Sequence, residues 1–191
     1  MRIIGGEFKG VPIDSPKGLD TRPTYDRVRE SLLSIIISAK NGSLEGLVAL
    51  DAFGGSGAVG FELISRGASG VIAFEQDKKS AQIIKNNTKK LRIQKSQYTL
   101  FTKNIFTELL SCLKTIKTPV FDIVFLDPPY KTDVALLEDL LDKMLENNLM
   151  SKDCITVYER EKGRPTINLD YLDGVKSKTY GNTCLDCFEI R

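Results

Sequence analysis

No histidine occurs among the 191 residues. That absence excludes Ser-His-Asp and Cys-His catalysis and the HExxH metal sites. Any general base has to be a carboxylate, a lysine, a tyrosine or the backbone. No run of about 18 apolar residues exists, so nothing reads as a membrane span. The opening Met1-Arg2-Ile3-Ile4-Gly5-Gly6 has no apolar stretch of the length a secretory signal needs. Four cysteines, at 112, 154, 184 and 187, follow no disulfide-framework spacing. These features point to a reduced, cytoplasmic protein. The net charge of +2 excludes a polycation. Charge is nevertheless uneven: from Asp77 to Lys103 one acid faces Lys78, Lys79, Lys85, Lys89, Lys90, Arg92, Lys95 and Lys103. Such a stretch is either a solvated helix face or a patch that meets phosphates.

What is present is a regular alternation. Apolar strand-like runs at 47–50, 71–74, 98–101, 120–126 and 155–158 are separated by helical patterns at 57–65, 77–90, 105–113 and 134–145. Two further strands, 175–180 and 184–190, flank the turn Gly181-Asn182. This predicts an α/β fold with a doubly wound, mostly parallel, seven-stranded sheet and an antiparallel C-terminal strand. One domain is expected over 1–191. It comprises a glycine- and proline-rich arm or hairpin (1–20), a lead-in helix (21–40) and the catalytic sheet (44–191). In the lead-in helix, Val28, Leu32, Ile35 and Ile36 share one face, while Arg27 and Arg29 lie off it.

Two stretches carry chemistry. In the first, Asp51-Ala52-Phe53-Gly54-Gly55-Ser56-Gly57 turns from a strand into a helix, where glycines admit a ligand to the backbone. Glu75, at the end of the next strand, is placed to hold a ribose diol. By spacing alone the turn suits a dinucleotide or S-adenosylmethionine. Asp51 separates them: a carboxylate here repels a pyrophosphate and attracts an ammonium or a sulfonium. In the second, Asp127-Pro128-Pro129-Tyr130 ends the buried strand 120–126, at the strand end where open α/β sheets bind ligands. The prolines stiffen the turn, Asp127 and the Pro128 carbonyl are aimed acceptors, and Tyr130 offers a stacking face. That set suits the exocyclic amino group of a nucleobase. The plain alternative is a strand ended by a proline turn. Cys184 and Cys187 are structural on this reading, since an offset of three in a strand puts them on opposite faces.

The glycine turn, Glu75 and the Asp127 motif resemble those of class I S-adenosylmethionine-dependent amino-group methyltransferases, with a Rossmann-like fold. Met1-Arg2-Ile3-Ile4-Gly5-Gly6, Lys9-Gly10, Arg22-Pro23-Thr24 and Asp26-Arg27-Val28-Arg29-Glu30 narrow the resemblance to the RsmD family, as do Ser65-Arg66-Gly67-Ala68 and Tyr180-Gly181. The RsmD family methylates N2 of a guanine in 16S ribosomal RNA. The resemblance implies S-adenosylmethionine held by Asp51, Phe53, Gly54, Gly55, Ser56, Gly57, Glu75 and Asn104. It implies a target guanine held by Asp127, Pro128 and Tyr130, and RNA contacts from Arg22, Arg27 and Arg29. The implied partner is ribosomal RNA or the small subunit, with no membrane, no metal and a monomeric state. Gly55 stands where the family more often has alanine, and Asn104 where it often has aspartate. Rival readings are an adenine-N6 methyltransferase of DNA or RNA, and a non-catalytic dinucleotide- or RNA-binding module.

Overall fold

In the computed structural model, residues 1–16, 23–117 and 119–191 are described, 23–25 by backbone alone. Helix α1 (Pro23–Ala39) precedes β1 (Val48–Asp51), α2 (Ala58–Ser65), β2 (Gly70–Phe74), α3 (Lys78–Lys90), β3 (Tyr98–Phe101) and α4 (Ile105–Leu113). β4 (Phe121–Leu126), α5 (Val134–Glu146), β5 (Met150–Glu161), β6 (Leu172–Tyr180) and β7 (Thr183–Ile190) complete the chain. The strands form one sheet in the order β3-β2-β1-β4-β5-β7-β6. β1 to β5 pair in parallel, and β7 runs against both β5 and β6. The expected architecture is present, reversed strand included. β5 is longer than the 155–158 segment expected, because Met150 already pairs with Phe121.

The strands are apolar on both sides because both sides are covered. On one face Val28, Leu32 and Ile36 of α1, Phe61 and Leu63 of α2 and Ile84 of α3 pack on Ala49, Ile123 and Val157. On the other, Leu109 and Leu113 of α4 and Leu137, Leu141 and Met144 of α5 pack on Leu50, Val124 and Leu126. Helix starts are fixed by caps: Asp77 accepts from Ser80 N–H, Asn104 from Phe106 N–H and Asp133 from Ala135 N–H. Among the described residues no helix is long and apolar enough to cross a membrane.

The N-terminal arm is a small hairpin, with Ile3 N–H bonded to Val11 O (3.0 Å) and Gly10 N–H to Ile3 O (2.9 Å). It is docked by polar groups buried under it. Ile4 N–H donates to Glu62 Oε1 (2.7 Å) and Phe8 N–H to Ser65 Oγ (2.9 Å). Asn87, fully buried in α3, accepts from Asp14 N–H (2.8 Å) and donates to the carbonyls of Asp14 (2.9 Å) and Ser56 (3.1 Å). These bonds satisfy arm backbone that has no sheet partner, and they bring Met1 to the wall of the cleft described next.

Candidate active site

The carboxyl ends of β1, β2, β4 and β5 open into a cleft of about 450 Å³. It lies at the switch point of the sheet: β1 and β4 are neighbours, yet α2 leaves to one face and α5 to the other. Asp51, Phe53, Gly54, Gly55, Ser56, Glu75, Asn104, Asp127, Pro128 and Tyr130 all line this cleft.

Each part is held by local structure. Asp51 ends β1 and is buried, with its carboxylate bonded to the backbone of Phe53 and Gly60. Its Oδ1 has no partner among the described residues. Burial, then the charges of Asp127 and Glu75, push its pKa up to about 7. Gly54 donates to Phe74 O (2.7 Å), and a Cβ there would stand 2.9 Å from Ile84 Cδ1. Gly55 has φ 55° and donates to Glu75 Oε2 (2.8 Å), while Glu75 Oε1 accepts from Asp77 N–H (2.7 Å). Glu75 is thus locked in place, and each of its oxygens keeps a further lone pair. Gly57 has φ 80°, and a Cβ there would stand 2.5 Å from the Phe61 ring, so the fold requires glycine here apart from any ligand. Asn104 spends Oδ1 on Phe106 N–H (2.9 Å).

At the end of β4, Tyr130 stands at the lip of the cleft, 65% exposed. Arg164, beyond β5, donates through Nη2 to the carbonyls of Tyr130 and Thr132 and so pins the proline turn. The sequence reading missed Arg164, as it missed Glu159 of β5, Phe106, Gln76 and Met1, which line the same cleft. Phe106 packs at 5.7 Å from Phe53, and its apolar ring beside Asn104 was the one available signal. Asp127 opens onto the cleft, and enclosure raises its pKa. Enclosure and then the Asp127 charge push Glu159 up to about 8.

Of the three arginines expected at RNA, Arg22 lies outside the described residues and Arg27 is exposed at the start of α1. Arg29 is a correction: it is 6% exposed. Its Nε meets Glu62 Oε1 (3.2 Å), and its Nη2 meets Asp26 Oδ1 (3.0 Å) and Arg2 O (2.8 Å). It is occupied inside the protein, sharing Glu62 with Arg66. Replacing it therefore tests packing. Arg29→Gln is expected to cost about 1–3 kcal/mol of stability in denaturant unfolding and to leave the salt dependence of RNA binding alone. Arg27→Gln is expected to do the reverse, lowering the log–log salt slope by about 0.7–0.9.

The Asp51 carboxylate has a raised pKa in the folded state, so folding takes up a proton on it. Its cost to stability is absent below about pH 4, the unfolded value. The cost grows as pH rises and is complete above about 7. At about 1.4 kcal/mol per tenfold change in proton affinity, that is on the order of 4 kcal/mol. The melting temperature of Asp51→Asn minus that of wild type, without ligand, is expected to be larger at pH 8 than at pH 5. Equal differences at both values would show that Asp51 ionises freely.

Sheet order, glycine turn and the acid after β2 define the class I methyltransferase fold. The likeness extends to magnesium protoporphyrin IX methyltransferase of Synechocystis, solved with bound S-adenosylmethionine, at TM-score 0.67 and 14% identity over 100% of this chain and 88% of that one. Escherichia coli yhhF, a methyltransferase candidate by its name, superposes at TM-score 0.80 with 28% identity, covering 100% of this chain and 98% of that one. "Ribosomal RNA small subunit methyltransferase D" of Haemophilus influenzae is 35% identical over 95% of this chain and 89% of its own. The Escherichia coli K12 protein of the same name is 32% identical over 87% and 79%. The family model described as "Conserved hypothetical protein 95" matches residues 1–189. The chain belongs to that family, the RsmD family.

The residues present fit S-adenosylmethionine, the cofactor of this fold. Asp51, Glu75, Asp127 and Glu159 line one cleft, and Asp51 holds an orphaned oxygen. That field favours an ammonium and a sulfonium and opposes a pyrophosphate.

Proposed function

We propose that the protein transfers a methyl group from S-adenosylmethionine to the exocyclic N2 of a guanine in small-subunit ribosomal RNA. The observation that carries this is the Asp127-Pro128-Pro129-Tyr130 turn lining the cleft together with Asp51 and Glu75, with Tyr130 exposed at its lip. The family membership and the names of the relatives support the RNA class.

Bound S-adenosylmethionine supplies an electrophilic methyl group on sulfur. Glu75 and the Gly54-Gly55 backbone hold the ribose and methionine parts, and Asn104 with Phe106 forms the slot for a planar ring. The guanine leaves its stack to enter and lies against Tyr130. Its amino hydrogens are held by Asp127 and the Pro128 carbonyl, which aims the nitrogen at the methyl group. Alignment of this kind contributes on the order of 7–11 kcal/mol at best. As the N–C bond forms, positive charge grows on nitrogen and the Asp127 carboxylate stabilises it. The C–S electron pair stays on sulfur, and Asp127, whose raised pKa suits proton uptake near neutrality, takes the proton that nitrogen sheds.

The test is tritiated-methyl transfer to ribosomal RNA and to small subunits from a strain lacking the enzyme, followed by nucleoside digestion. Label in N2-methylguanosine is expected. Label in N6-methyladenosine, or none in either substrate, would overturn the reading.

A further inference from the structure

The geometry points to Glu159 as the residue that selects guanine: its carboxylate accepts the N1–H of the target base while Asp127 and the Pro128 carbonyl hold the 2-amino group. This rests on the guanine-N2 reading above. In the ladder between β4 and β5, Leu126 pairs with Tyr158. The next residues are Asp127, which leaves β4, and Glu159, which continues within β5 and pairs with Leu185 of β7; adjacent strands of a sheet run about 4.8 Å apart. Both line the same cleft, and the Asp127 charge is felt at Glu159.

Of the other two acids of the cleft, Glu75 is engaged by Gly55 and Asp77, while Asp51 is buried at the end of β1, meets the backbone of Phe53 and Gly60 and leaves Oδ1 unpartnered among the described residues. No hydrogen-bond donor to Asp127 or Glu159 is found among the described residues. Two adjacent carboxylates without donors repel each other. A ligand that brings donors to both relieves it. Guanine alone among the four RNA bases carries a ring N–H directly beside an exocyclic amino group. Adenine puts a lone pair where Glu159 demands a hydrogen, cytosine does the same at N3, and uracil has no amino group. An incoming N1–H favours the ionised form of Glu159, and ionised Glu159 rejects adenine by leaving two acceptors face to face.

The experiment compares single-turnover methyl transfer to RNA, or to reconstituted subunits, carrying guanine or 2-aminopurine at the labelled position. 2-Aminopurine keeps the 2-amino group and replaces N1–H by a lone pair. Wild type is expected to lose roughly ten- to a hundredfold on 2-aminopurine, the worth of one charge-assisted hydrogen bond. Glu159→Gln is expected to slow guanine by a similar factor and to bring the two substrates within about threefold of each other, because its amide can turn N–H toward the lone pair. Glu159→Asp keeps the charge and is expected to keep the preference for guanine. Unchanged S-adenosylhomocysteine affinity and cooperative thermal unfolding at or above the wild-type temperature serve as controls for the fold. A guanine to 2-aminopurine ratio in Glu159→Gln equal to that of wild type, with label still at N2, overturns the role of Glu159 alone. Label at another atom or base overturns the guanine-N2 reading and this role with it.

Discussion

Asp127→Asn is expected to bind cofactor and stay folded while losing roughly a hundred- to a thousandfold in single-turnover methyl transfer. Asparagine keeps the shape and one acceptor oxygen. It removes the negative charge that faces the developing cation, and it cannot take the proton. One aimed group of this kind is worth about 2.7–4 kcal/mol. The place of Asp127 directly after β4, stiffened by Pro128 and Pro129, makes relaxation around the new amide small. Transfer by folded Asp127→Asn at a rate near wild type, measured at saturating cofactor, would remove Asp127 from the chemistry.

Glu75→Ala is expected to act at the other end of the cleft. It removes the acceptors proposed for the ribose hydroxyls, each charge-assisted bond being worth roughly 1.5–3 kcal/mol. It also frees the amides of Gly55 and Asp77, which Glu75 now holds, so the glycine turn keeps only the Gly54 to Phe74 bond to the end of β2. S-adenosylhomocysteine affinity should fall by a hundredfold or more on this account, on the scale of about 1.4 kcal/mol per tenfold. Glu75→Gln separates the two effects, since its amide oxygen can still accept from Gly55 N–H. An intermediate loss is expected. Wild-type affinity for Glu75→Ala in calorimetry would refute the ribose assignment.

Much of this cleft was legible in the sequence because its parts sit at strand ends, where apolar patterning stops and a polar residue or a glycine begins. Asp51, Glu75 and Asp127 all mark such changes. Glu159 does not. It lies inside the twelve-residue β5, in a run Tyr158-Glu159-Arg160-Glu161 that reads as an ordinary solvated strand end. Only its register beside Asp127 sets it apart, and register is a property of two strands. Arg29 was misread for a related reason. The stripe of Val28, Leu32, Ile35 and Ile36 defines the side of α1 that meets the sheet, and an arginine next to it looks solvated. The arm and α2 close over that flank, and Glu62, which neutralises Arg29, lies 33 residues away. Gly57 fits a ligand-binding pattern by spacing and is also required by its φ of 80° and by Phe61, demands that spacing cannot distinguish from an approach to ligand.

The docked arm bears on the order in which the protein acquires its activity. Its anchors span 57 to 73 residues of sequence, from Gly5 to Glu62 and from Asp14 to Asn87. Contacts so distant along the chain are slow to close, since the entropy of the intervening loop is lost before any bond forms. The arm therefore settles only once α2 and α3 are in place to receive it. Met1 takes its place in the cleft wall only with the arm, so that stretch of wall depends on α2 and α3 already standing in their native positions.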